Sequence, residues 1–144
     1  MRGMTNIVIG DTSDAEALRI LDSLMPIEEW RGIAVRGMTP EKMAMLHSIL
    51  TGETFDEAFD EYDHVYAASE DGPWVTRIPD APLEKLAGLE EDVLAQIGAE
   101  WTASEECESE GWPVEEVQAL LEELAELARA AVAQGRAMFL WMDQ

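Results

Sequence analysis

Residues 114–142 read VEEVQALLEELAELARAAVAQGRAMFLWM, and the fold turns on how this stretch is read. Val114, Val117, Leu121, Leu124, Ala128 and Ala131 follow a 3-4-3-4-3 spacing, with Leu120 and Leu127 widening the stripe, which marks one apolar face of a long helix. About 22 residues of helix span about 33 Å at about 1.5 Å per residue, and Gly135 is the C-terminal stop. Met138-Phe139-Leu140-Trp141-Met142 then forms an unbroken apolar run. Left in water, Phe139 and Leu140 would each forgo roughly 1.5–3 kcal/mol of burial. The pattern therefore predicts an interior strand, folded back beneath the helix by Gly135, rather than a free tail.

Moving towards the N-terminus, Gly111-Trp112-Pro113 breaks the chain ahead of that helix. Glu90-Glu91-Asp92 places acid at the start of an earlier helix, where the macrodipole favours it, with Val93, Ile97, Trp101 and Ser104 on the inward face. Leu83 to Leu86 is a short helix ending near Gly88, and Trp74 to Ile78 is a strand entered through Asp71-Gly72-Pro73 and left at Pro79. Residues 54–62 form a short acidic helix carrying Phe55, Phe59 and Tyr62, and the stretch on to Ser69 fits either helix or strand. Thr39 caps a helix with Pro40 at its first position, an apolar stripe of Met43, Leu46, His47 and Leu50, and Gly52 as terminator. Ile33-Ala34-Val35 is a second strand between Gly32 and Gly37. The β-branched run Ile7-Val8-Ile9 is another, ending at Gly10, after which the capping box Ser13 to Glu16 opens a helix with Leu18, Leu21, Leu24 and Met25 inward and Pro26 as its stop. The expected architecture is α+β: one domain over residues 1–144, with about five helices packed on a small sheet drawn from residues near 7–9, 33–35, 74–78 and 138–142.

A chain of 144 residues with 47% apolar composition holds one hydrophobic core without disulfides or metal. Asp and Glu number 31 against 9 Lys and Arg, a net charge of −22. That balance argues against nucleic acid or an anionic membrane as partner and favours a basic protein. The scarcity of lysine (Lys42 and Lys85 only) also suits salt adaptation or a GC-rich genome, in which case the charge carries no functional signal. Cys107 is the single cysteine, so neither an internal disulfide nor a cysteine metal cluster is available. Met1 to Met4 precede an apolar run too short for a signal peptide, and no run is long enough for a spanning helix, so a cytoplasmic location is expected.

The chemistry-bearing patterns are few. No phosphate loop, nucleophile elbow, zinc-protease helix or Cys-x-x-Cys occurs, and no cofactor is called for. A zinc site would need carboxylates from distant segments to join the two histidines and the cysteine, so no metal ligands are assigned. His47 is either a general base or ligand held by a nearby carboxylate, or a core histidine satisfied by one hydrogen bond. His64, in an acidic segment, reads as exposed. Trp74, Trp101 and Trp112 either line a concave site, with Glu105 one turn beyond Trp101 supplying charge, or serve as core. Trp101 and Trp141 sit in core patterns, whereas Trp30 and Trp112 lie beside breaks where partial exposure is expected. The run Glu105 to Glu110 is a solvated face, a weak calcium site or a contact for a basic protein, and the carboxylates around Cys107 would raise its pKa.

Leu46-His47-Ser48-Ile49-Leu50-Thr51-Gly52 resembles the Leu-His-x-x-Leu-Thr-Gly segment of the YfbM-like family of uncharacterised bacterial proteins. Gly72-Pro73 with its following strand, the helix from Pro82, and the closing helix, Gly135 and apolar strand are similar to that family as well, covering roughly residues 46–142. The resemblance implies an α+β fold and assigns no activity. Two functional classes follow from the residues. The first is a non-enzymatic acidic binding protein acting on a protein partner, as an inhibitor or immunity protein of a basic toxin does. The second is a small-molecule enzyme or sensor with His47 in a tryptophan-lined pocket. A cleft converging on His47, a carboxylate and a tryptophan favours the second, and a filled core around His47 favours the first.

Overall fold

A strand that is apolar at every position has to be covered on both faces, and the C-terminal run meets that condition by lying at the centre of a sheet. The computed structural model describes residues 4–22, 30–36, 38–62, 65–67, 69–70, 73–108 and 111–142. Strands β1 (Met4–Gly10), β2 (Gly32–Arg36), β3 (Val65–Ala67), β4 (Trp74–Arg77) and β5 (Ala137–Met142) pair in the order β2-β1-β5-β4-β3, each neighbour antiparallel. Leu140 of β5 stands opposite Ile7 on one side and Thr76 on the other. Met138 and Leu140 join Ile7 and Ile9 in the larger core, while Phe139 and Trp141 join Val8, Val75 and Trp30 in a second core on the opposite face.

The helices divide between these faces. Helix α1 (Asp14–Asp22) supplies Ile20 and Leu21 to the second core. Helices α2 (Pro40–Thr51), α3 (Phe55–Asp60), α4 (Asp80–Ala87), α5 (Glu91–Thr102), α6 (Glu105–Glu108) and α7 (Val114–Ala133) build the larger one. Thr39 caps α2 as its sequence requires, its hydroxyl accepting from the Lys42 N–H at 3.2 Å. Helix α7 ends in a Schellman turn: Gly135 takes a positive φ of 65°, its N–H donates to Val132 O at 3.1 Å, and the Arg136 N–H donates to Ala131 O at 2.8 Å. The chain thereby reverses into β5. Among the described residues no helix is long and apolar enough to cross a membrane.

The α+β architecture and its four expected strands are present, and the ambiguous segment before Ser69 supplies a fifth strand, β3. Several side chains depart from expectation. Leu18 is exposed and Ile20 takes the buried place on α1, because the face is set by the sheet it covers. On α5 Val93 is exposed and Leu94 takes the buried place in the first turn, while Trp101 is buried and Ile97 packs on the core as the expected stripe has it. Val114 starts α7 before the helix reaches its neighbours and is exposed. Trp30 is buried in the second core, with the Arg19 guanidinium 5.5 Å from its ring centroid. Cys107 is buried in the larger core, since the adjacent exposed Glu105 and Glu108 point elsewhere around the turn. Leu24, Met25, Pro26, Gly37, His64, the Asp71-Gly72 turn and the end of the acidic run at Ser109 and Glu110 lie outside the described residues.

Candidate functional site

The turn between α2 and α3 is fixed by its own hydrogen bonds. Gly52 adopts φ 81° and closes α2 with its N–H on Ser48 O. The Ser48 hydroxyl donates to Glu53 O at 2.6 Å, the Thr51 hydroxyl donates to His47 O at 2.9 Å, and the Glu53 N–H donates to the Thr51 hydroxyl at 3.3 Å. Thr54 then caps α3 through the Glu57 N–H. This arrangement sets Glu53 opposite His47, and the short α3 returns Glu61 to the same place. His47 Nε2 lies 3.3 Å from Glu53 Oε1 and 3.3 Å from Glu61 Oε2. The His47 side chain is fully buried, whereas those of Glu53 and Glu61 are 33% and 42% exposed, so solvent reaches the cluster from the carboxylate side. One donor atom from each of the three residues lies within 4.8 Å of the others.

The two carboxylates respond in opposite senses. Contact with His47 holds Glu53 below the usual carboxylate range. Loss of water, reinforced by the adjacent Glu53, raises Glu61. Burial first, and then the charges of Glu61 and Glu53, push the Tyr62 hydroxyl well above its ordinary value. The Tyr62 ring meets the His47 ring edge-on at 5.8 Å, and the buried Tyr62 hydroxyl and His47 Nδ1 have no hydrogen-bond partner among the described residues.

Two of the tryptophans meet each other instead. Trp101 is fully buried and its indole N–H donates to Lys42 O at 3.0 Å. Trp112 stands edge-on to Trp101 at 6.3 Å, and the buried Lys42 holds its ammonium 4.2 Å from the Trp112 centroid, a cation–π contact. Trp74 is half-buried on β4 opposite Met142 and Ala67, and Glu105 is exposed on α6. Of the residues singled out in the sequence, then, Trp101 and Trp112 come together. His47 pairs instead with Tyr62, noted in the sequence only as part of its short acidic helix, and with Glu53 and Glu61, which the sequence did not mark.

Trp112 also lines an open groove of about 350 Å³ that the sequence did not suggest. Its other walls are Ala34 and Val35 of β2 and, from α7, Ala119 with Glu116, Leu120 and Glu123. The last three recur at helical spacing and so share one face of α7. β2 is the outermost strand, and among the described residues no strand pairs with its outer edge. An edge of this kind offers backbone N–H and C=O groups to an added strand. The groove thus combines a hydrogen-bonding edge, an apolar floor and two carboxylates, with no basic side chain among the described residues of its lining. Compared with protein-family models, curated proteins and solved structures, the chain matches none.

Proposed function

We propose that this chain is a non-enzymatic acidic binding protein whose β2–α7 groove takes an extended, basic segment of a protein partner. The observation that carries this reading is the pairing of an outermost strand with Glu116 and Glu123 across one groove. An added strand beside β2 would gain main-chain hydrogen bonds, and alternate side chains would turn towards α7. Glu116 and Glu123 are seven positions apart, about 10 Å along the helix axis at about 1.5 Å per residue. Two long basic side chains on one face of a strand, about 6.6–6.8 Å apart, span that distance. Leu120 and Trp112 would cover the aliphatic stems of those side chains. The net charge of −22 would steer a basic partner into place.

An inhibitor or immunity protein of a basic toxin is the concrete form of this activity. The ring against His47 is that of Tyr62, and His47 Nε2 faces two carboxylates; no tryptophan meets it among the described residues, which supports this class over a tryptophan-lined small-molecule pocket. The YfbM-like resemblance of residues 46–52 brings no activity with it and bears on neither class.

A fluorescent peptide alternating Lys and Val, with a Glu–Val peptide as its counterpart, tests the proposal. The basic peptide should bind, and E116Q/E123Q should weaken it by about tenfold, about 1.4 kcal/mol. The charge-matched pair E122Q/E126Q, elsewhere on α7, should change it little. Equal weakening by both pairs would mean diffuse attraction to an acidic surface and would refute the groove.

A further inference from the structure

We propose that His47, Glu53 and Glu61 form a binding site for a divalent transition-metal ion of the Zn²⁺ type. The distances carry the case. A charge-assisted N–H···O bond spans about 2.7–2.9 Å, and a single ring N–H makes at most one well-aligned bond of that length. His47 Nε2 instead stands 3.3 Å from each of two carboxylate oxygens. Ligand atoms each about 2.0–2.2 Å from a zinc ion lie about 3.0 Å apart at a right angle and about 3.4 Å apart at the tetrahedral angle. The two separations from His47 therefore match the spacing of neighbouring ligands around one ion, and the two carboxylate oxygens lie within 4.8 Å of each other.

The donor set agrees with this geometry. One imidazole nitrogen with two carboxylate oxygens suits a borderline divalent ion, and a neutral imidazole with two carboxylates neutralises its charge. The imidazole separates this cluster from the exposed glutamates that cover the surface. The turn that presents Glu53 is held by Ser48, Thr51 and Thr54, so part of the ligand set is in place before any ion arrives. The Tyr62 hydroxyl offers an independent sign. It belongs to a side chain 3% exposed, has no partner among the described residues, and sits on the ring packed against His47. It is available as a donor to a metal-bound water. Three protein ligands leave at least one coordination position open, and the half-exposed carboxylates place it on the solvent side.

Calorimetric titration of the EDTA-treated full chain with ZnCl₂, in millimolar Mg²⁺ to saturate diffuse acidic sites, tests the assignment. Uptake of one Zn²⁺ per chain is expected, with a rise in Tm of about 5 °C or more at about a hundred times Kd. E53Q/E61Q should lose affinity by about tenfold or more, as should E61Q alone, whose side chain is exposed enough to be replaced without loss of folding. The charge-matched E122Q/E126Q should bind as the native chain does. Co²⁺ in place of Zn²⁺ should give a visible d–d absorption that E61Q reaches only at about tenfold higher Co²⁺ or more. No uptake, equal uptake by native chain and E61Q, or the same loss in E122Q/E126Q would overturn the proposal.

Discussion

Gly32 is the residue whose replacement the structure judges most sharply. A Cβ built there would lie 2.2 Å from the Ile7 carbonyl oxygen and 2.9 Å from Val8 Cα, both backbone atoms that cannot step aside singly. Gly32→Ala should therefore push β2 away from β1 and cost roughly 1–3 kcal/mol, as overpacking does. Chemical denaturation should show a lower midpoint with an unchanged slope; an unchanged midpoint would contradict the packing of these strands. The sequence marked Gly32 as a strand flank, because nothing local records how near a neighbouring strand will pass. His47 shows the same limit. Its place on an apolar face was legible from Met43 and Leu46 at helical spacing. Its partners were not, since Glu53 and Glu61 reach it only after the left-handed turn at Gly52 reverses the chain. The available signal was Thr54 with Glu57 three residues on, which announces a second helix immediately after the first and hence a hairpin.

At the scale of elements, β5 carries the fold. Met138, Phe139, Leu140 and Trp141 are all buried, and roughly 1.5–3 kcal/mol per side chain of Leu, Phe or Met size compares with a total stability of about 5–15 kcal/mol. Deleting residues 138–144 should leave an insoluble or molten protein, read as lost near-ultraviolet dichroism and dye binding. A truncated chain that melts at the native temperature would sink the central position of β5. A smaller effect belongs to Arg129, whose guanidinium donates to Ala87 O at 3.2 Å and Leu89 O at 2.9 Å, covering the carbonyls at the end of α4. Arg129→Ala should cost about 0.5–1.5 kcal/mol in denaturant unfolding, and an effect of zero would mean solvent serves those carbonyls equally well. The long helix and β5 were legible because each repeats one signal over many residues. β3 was not, because three residues at a sheet edge are too few to display a period. In α1 the apolar residues at 17, 18, 20 and 21 fit more than one helical phase, and only the sheet beneath selects Ile20 and Leu21.

For the whole molecule, charge is the dominant variable. A net −22 on one small domain repels itself, and the Debye length falls from about 30 Å at 0.01 M salt to about 10 Å at 0.1 M. The melting temperature should rise by several degrees across that range, whereas a flat response would show the acids to be individually solvated or paired. The acidity was evident in composition, but the groove was not, because it arises where an edge strand and a helix some eighty residues later are set side by side. Backbone hydrogen exchange with and without the Lys–Val peptide tests the central claim most directly. The account predicts slower exchange at residues 32–36 on peptide addition, with the opposite sheet edge at residues 65–67 unchanged. Protection of residues 65–67 instead, or bound peptide with no slowing at residues 32–36, would contradict it.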